Sequence, residues 1–231
     1  MLSFLGNIMG KLMRTIYDIV STMGPEPENV SFYAITIILT TIVFKLLLTP
    51  LNARQAKTTK KMNEMQPKIQ EVQKKYKDPQ TQQIKLQEVY KENNFNPASG
   101  CLLPLIQLPI LLAFFRVFRE PVTYAFQDPG MYESMNKAFF WIENLDNPDP
   151  YMWGLPLLAA ASTFLHSKLM MPPSQPGADN QAQAMQKSMT TMLPIMIFIS
   201  ARNFPAGLAL YWVINNITNI IQQLITNKVV D

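Results

Sequence analysis

The sequence predicts an all-α membrane protein: five transmembrane helices around a hydrophilic groove, with an N-terminal amphipathic helix and a cytoplasmic helical hairpin. Three observations lead there. Apolar residues gather into long runs between polar blocks, so the mean hydropathy of +0.03 averages two different solvents. The first run, Phe32 to Leu51, holds 20 residues with a single charge, Lys45. As a helix it would be roughly 30 Å long, the thickness of a bilayer's hydrocarbon core. Finally, polar side chains inside these runs repeat at helical spacing, as they would along a hydrated face.

Residues 1–23 read as an amphipathic helix lying in the membrane interface, and residues 24–231 as one core. Leu2, Leu5, Met9, Leu12, Ile16 and Val20 recur at helical spacing, opposite Asn7, Lys11, Arg14 and Asp18. Gly24-Pro25-Glu26-Pro27 breaks the helix ahead of the first run. Residues 54–96 are strongly polar and basic. There Met62, Met65, Ile69, Val72 and Tyr76 repeat at intervals of three and four, the seam of a short coiled coil. Asp78-Pro79 marks a turn, and Ile84, Leu86, Val89 and Tyr90 supply the returning helix of a hairpin. The other apolar runs cover about residues 102–118, 151–171, 188–201 and 206–225. An acidic, aromatic loop, 119–150, and a Pro/Gln-rich loop, 172–187, lie between them.

Lysine and arginine set the orientation. With five spans, the hairpin side carries Arg54, nine lysines from Lys57 to Lys91, and Lys168, Lys187 and Lys228, thirteen in all. The opposite side carries six: Lys11, Arg14, Arg116, Arg119, Lys137 and Arg202. The hairpin, the 172–187 loop and the C-terminus are therefore expected in the cytoplasm, and the 119–150 loop outside. Met1 to Val20 lacks a charged start, an unbroken apolar stretch and a small-residue cleavage site, so no cleavable signal is expected. A bacterial plasma membrane is the expected location, with the N-terminus external or interfacial.

Composition excludes several chemistries. A single cysteine, Cys101, allows no internal disulfide or cysteine zinc cluster, and a single histidine, His166, leaves no His-type metal site or Ser-His-Asp triad. No phosphate-binding glycine loop is present. No cofactor, no metal site and no catalytic residue is expected, so an enzyme is not predicted.

Lys45 is the sharpest signal. A charged side chain deep in a span costs about 2.5–3.5 kcal/mol on insertion scales, so it faces water or a partner. Thr41, Lys45, Thr49 and Asn52 form one polar stripe. Tyr211, Asn215, Asn219 and Gln222 form another on the last run, flanked by Trp212, Asn216 and Gln223, and Gln107 adds an amide on the second. No acidic residue falls inside any run. That argues against proton- or sodium-coupled transport and leaves Lys45 as an unneutralised positive charge in a wet groove.

Five stretches then resemble a known family in the correct order. They are Leu48-Thr49-Pro50-Leu51; Met65-Gln66-Pro67-Lys68-Ile69; Asn96-Pro97 with Gly100-Cys101; Leu105-Ile106-Gln107-Leu108-Pro109-Ile110; and Phe204-Pro205-Ala206-Gly207-Leu208 with Leu210-Tyr211-Trp212 and Gln222-Gln223. From about Ser31 onward the chain resembles the YidC/Oxa/Alb family of membrane protein insertases. The resemblance implies a five-helix core whose hydrophilic groove opens to cytoplasm and lipid and is closed outside. It places Thr41, Lys45, Gln107, Tyr211 and Trp212 on that groove, to which the polar line on the last run adds Asn215 and Asn216. The family's positive residue is usually arginine, so Lys45 keeps the charge and loses the planar fork. In Cys101-Leu102-Leu103-Pro104 the proline comes one place later than in many relatives.

The implied function is that of an insertase and chaperone for nascent membrane proteins. Hydrophilic segments would enter the positive groove while apolar segments pass into lipid. The partners are nascent membrane proteins and membrane lipid, with the ribosome (through the basic hairpin) and the SecY translocon as further candidates, and no small-molecule substrate. The competing readings are a small-anion transporter or channel that uses Lys45 for selectivity, and an assembly scaffold without insertion activity.

Overall fold

The computed structural model describes residues 2–96, 98–170 and 188–230. The protein is all-α. Among the described residues, extended pairing is limited to three isolated bridges, Val30 with Phe139, Lys137 with Asn144, and Phe139 with Ile142. The helices are α1 (Leu2–Ser21), α2 (Phe32–Leu47), α3 (Thr49–Lys75), α4 (Pro79–Glu92) and α5 (Ala98–Arg119), then the short α6 (Pro121–Tyr124) and α7 (Pro129–Ser134). They are followed by α8 (Leu155–Met170), α9 (Leu193–Ala201) and α10 (Ala206–Val230). A π turn, Ser188–Met192, leads into α9. The 172–187 loop lies outside the described residues.

The amphipathic stripe of α1 is used against the body of the protein. Met9, Met13, Ile16 and Val20 are buried while α1 packs on α2 and α5. Gly10 lets the backbones meet, because a Cβ there would lie 2.0 Å from the Tyr124 carbonyl oxygen.

The first apolar run is divided. Ser31 caps α2 by accepting from the Ala34 N–H at 3.2 Å, but the helix ends at Leu47. Pro50 has no N–H to continue the hydrogen-bond ladder, so α3 begins at Thr49 with this proline in its first turn. The 16 residues of α2 span about 24 Å rather than the 30 Å expected of the whole run. The same shortening recurs in α8, with 16 residues, and α9, with 9. Among the described residues, no helix is long and apolar enough to cross a membrane.

α3 and α4 pair as a hairpin around Met65, Ile69 and Phe95, with Met62, Leu86, Val89 and Tyr90 beside them. Val72 and Tyr76, the far end of the expected seam, are half-buried. Asp78 starts α4 by accepting from the Thr81 N–H at 2.8 Å and the Thr81 hydroxyl at 2.6 Å.

The segment between α5 and α8 forms a cap tied to two helix starts. Ser31 N–H donates to Ala138 O, Phe140 N–H to Asn29 O, Ala206 N–H to Asn147 O and Gly207 N–H to Leu145 O. Lys137 is held by Asp146 at 2.8 Å and sits 3.6 Å above the Tyr132 ring. The Tyr132 hydroxyl donates to the same carboxylate at 2.5 Å. Burial, then the nearby Tyr33, push the Tyr132 phenol far above its ordinary pKa, so it stays neutral. The main core lies beneath, built from Tyr33, Ile37, Phe114, Phe118, Phe126, Ile142 and Leu210.

Candidate substrate groove

Polar side chains from α2, α8 and α10 meet in one seam. Thr41, Lys45 and Thr49 lie a turn apart on α2, as their spacing requires. The Thr41 hydroxyl is buried and bonded back to the Ile37 carbonyl at 2.7 Å. Lys45 is 4% exposed, and its ammonium donates to Asn219 Oδ1 on α10 at 2.9 Å. One turn further along, Gln222 Nε2 donates to the Lys45 carbonyl at 3.3 Å and to the Thr49 hydroxyl at 3.2 Å. Lys45 forms no salt bridge to a carboxylate among the described residues. An ammonium has three donors, and Asn219 takes one of them.

The second half of the seam joins α10 to α8. Trp212 Nε1 donates to the Thr163 hydroxyl at 2.9 Å, and Asn216 Nδ2 donates to the same oxygen at 2.8 Å and to Ser162 at 3.1 Å. The Thr163 hydroxyl donates in turn to the Ala159 carbonyl at 2.7 Å, so one hydroxyl serves three bonds. His166 follows Ser162 by one turn of α8.

The expected site residues fall into four groups. Lys45 is joined to Asn219, and Trp212 and Asn216 are joined through Thr163. Asn215 is 8% exposed, and its side-chain oxygen has no hydrogen-bond partner among the described residues; the Thr40 hydroxyl shares this condition. Thr41 and Tyr211 are enclosed. Tyr211 is 1% exposed and stacks on Phe114 with ring centroids 4.1 Å apart, within the aromatic core. The Gln107 side chain lies outside the described residues, although its backbone belongs to α5. Sequence reasoning placed an apolar run over 151–171, where α8 lies, but missed its polar residues. Ser162, Thr163, His166 and Ser167 interrupt an otherwise apolar run at helical spacing, and that interruption is the signal that could have found them.

Comparison with known proteins fits this architecture. The profile of the family described as 60Kd inner membrane protein matches residues 27–231. A membrane protein insertase YidC of Oceanobacillus iheyensis is 42% identical over 204 residues, covering 85% of this chain and 75% of the relative. One from Clostridium perfringens is 40% identical over 218 residues, covering 94% of this chain and 87% of the relative. Membrane protein insertase YidC 1 of Listeria monocytogenes is 41% identical over 202 residues; there the chain spans only 64% of the relative's length. With the family profile matched across most of its length and these identities sustained, the chain belongs to the 60Kd inner membrane protein family, alongside the YidC membrane protein insertases.

Proposed function

We propose that this protein is a membrane protein insertase whose groove is the seam between α2, α8 and α10. Hydrophilic segments of nascent membrane proteins enter from the cytoplasm, and their apolar segments leave into the bilayer. The observation that carries this reading is Lys45: a buried ammonium held by an amide rather than by an acid. An amide orients the charge without neutralising it. The remaining donors and field are then free for a client's acidic or polar end, where attraction is screened less than in water. A hydrated pocket partway into the membrane also shortens the apolar path that polar residues must cross. No covalent step or nucleotide is needed.

In this reading the chain crosses a bacterial plasma membrane five times, over about residues 32–51, 102–118, 151–171, 188–201 and 206–225, and α1 lies at the interface. The exposed apolar side chains support it. Leu39, Leu46, Leu112, Leu157, Phe164, Ile195, Ile199 and Ile217 form outward faces on α2, α5, α8, α9 and α10 that suit lipid rather than water. Short helices are accommodated by local thinning of the bilayer and by flanking turns such as Leu48 and Ser188–Met192. The basic hairpin, 54–96, stands in the cytoplasm, where the ribosome and the SecY translocon are candidate partners. The test is reconstitution. Vesicles containing only this protein should insert a small single-spanning client with an acidic translocated end, and empty vesicles should not. Equal insertion in both would refute the proposal.

A further inference from the structure

Four aromatic rings stand outward on one side of the cap. Phe140 and Trp141 occupy the tip of a two-residue turn, and Tyr151 and Trp153 lie just before α8. The turn is closed by the Phe139 N–H donating to the Ile142 carbonyl at 2.8 Å and the Ile142 N–H donating back at 2.9 Å. One buried carboxylate brings the two pairs together. Asp149 accepts from the Trp141 indole at 3.1 Å and from the Tyr151 N–H at 2.9 Å, so the turn and the approach to α8 share one side chain. Tyr151 stacks on Trp153 with centroids 4.6 Å apart, and Phe140 lies 6.3 Å from Trp141.

Folding does not account for these exposures. A core would draw such rings inward, yet Phe140 is 60% exposed and Trp153 66%. Phe140 also stands at φ +49°, a left-handed conformation that a bulky side chain rarely adopts and that asparagine accepts readily. Its N–H is held by the Asn29 carbonyl at 2.7 Å. Strain retained at an exposed ring points to a use for that ring outside the fold. The chemistry of the surface selects the partner. From residue 138 to 154 the one exposed charge is Glu143, while Asp146 and Asp149 are engaged within the cap. The patch therefore offers rings and no cation for an anionic ligand. It continues into the first turn of α8, where Leu157 and Leu158 are exposed and open the apolar face of that helix. Rings with an apolar body and a polar edge, placed where an apolar helix face begins, suit the layer between hydrocarbon and water.

We propose that Phe140, Trp141, Tyr151 and Trp153 form one platform seated among the lipid headgroups of the leaflet on the cap side. The platform fixes the depth of the cap, which is bonded to Asn29 and Ser31 ahead of α2 and to Ala206 and Gly207 at the start of α10. Lipid contact at the rings thereby sets how deep Lys45 and its seam lie. The inference rests on the reading that α8 lies in a bilayer.

Trp141 supplies the readout. The full chain carrying Trp153→Phe and Trp212→Phe is placed in phosphatidylcholine vesicles whose acyl chains carry bromine either beside the headgroup or at the chain end. Trp141 should lose most of its emission to the shallow bromine and little to the deep one. Removing a ring by Phe140→Asn, or independently by Trp153→Ser in place of Trp153→Phe, should restore much of the emission. Phe140→Asn should leave the unfolding midpoint in detergent unchanged or raise it, because asparagine accepts the left-handed backbone. Embedding of α8 is read separately, with all three tryptophans changed to phenylalanine and Phe164→Trp, where the deep bromine should quench more. Quenching at residue 164 without quenching at Trp141 overturns the platform and leaves the membrane reading intact, whether the rings then face water or a second copy of the chain. Absence of quenching at both overturns both. Stronger quenching of Trp141 by the deep bromine puts the rings inside the span and overturns their seat among the headgroups. Shallow quenching that survives both ring removals, or that falls only in variants with a lower unfolding midpoint, also overturns the platform.

Discussion

The Lys45 ammonium reaches across from α2 to donate to the Asn219 side-chain oxygen on α10 at 2.9 Å. One turn along, the Gln222 amide returns the contact to the Lys45 carbonyl at 3.3 Å. The two helices are therefore joined by amides on both sides of a buried cation. A carboxylate in place of Asn219 would hold the helices as well and would cancel the charge. The choice of an amide separates the job of positioning Lys45 from the job of neutralising it.

That distinction gives the first prediction. Lys45→Arg should retain insertion, Lys45→Ala should impair clients with acidic translocated ends, and Lys45→Glu should impair them most. Asn219→Asp, which leaves Lys45 in place, should resemble Lys45→Ala for those clients because it supplies the missing counter-charge. Neutralising the client's acids should shrink all these differences. Insertion yields at matched expression are the measurement. If Lys45→Glu inserts acidic and neutralised clients as well as the parent does, the electrostatic account fails.

A second prediction concerns the hydroxyl shared by α8 and α10. Thr163 accepts from both Trp212 and Asn216. Thr163→Val keeps the shape, removes the acceptor of the half-buried Trp212 N–H and leaves the Asn216 amide with Ser162 alone, at a cost of about 1–2 kcal/mol. Thr163→Ser keeps the oxygen and should cost less. Thermal unfolding in detergent reports the difference, and a shift of Trp212 emission should accompany the valine change alone. Equal stability of both variants would show that this hydroxyl does not hold the seam.

Much of the architecture was legible in the sequence because it depends on periodicity. The 3–4 spacing of Met65 and Ile69 identified residues that are buried between α3 and α4. The stripe through Lys45 and the line through Asn219 marked faces that meet across α2 and α10. What depends on a partner helix was not legible. Tyr211 shares a line with Asn215 and Asn219 on paper, yet Phe114 of α5 stacks on it and encloses it. Hydropathy counting also carried the first run through to Leu51. It registers apolar side chains and not the missing N–H of Pro50, which ends α2 at Leu47. The polar residues of α8 were overlooked because four small or singly polar side chains barely lower the mean hydropathy of the run.

The hairpin should be the least protected part of the described chain. Its core is small, and many like-charged lysines surround it. Amide exchange in α3 and α4 should outpace that in α8; equal protection would contradict this. Hydrogen bonds from Thr81 hold the Asp78 carboxyl below its usual pKa. A carboxyl lowered on folding contributes stability above its unfolded pKa and loses that contribution as the pH falls through its folded value. Protection of the first turn of α4 should therefore be steady above about pH 4 and decline below it. Asp78→Ala should lower that protection at neutral pH and abolish its acid dependence, as read by NMR of the full chain.

The last prediction tests the cap. Asp149 is buried, and its carboxylate accepts from Trp141 Nε1 at 3.1 Å, the Tyr151 N–H at 2.9 Å and the Leu155 N–H at 2.6 Å. The last of these belongs to the first residue of α8, so one side chain both starts that helix and fixes the loop leading to it. Asp149→Ala should cost about 1–3 kcal/mol by orphaning these donors. Asp149→Asn, which keeps one acceptor oxygen, should cost less. Gly154 provides an independent probe, because a Cβ there would lie 2.3 Å from Asp149 Oδ2. Gly154→Ala should therefore displace the carboxylate and lower the unfolding midpoint by itself. Since both substitutions act on the same bonds, their costs should not add: Gly154→Ala should cost much less once Asp149 is alanine. Unfolding midpoints of the two single variants and the double variant close the cycle. If the costs simply add, the penalty at Gly154 arises elsewhere, and Asp149 is not the group that the glycine makes room for.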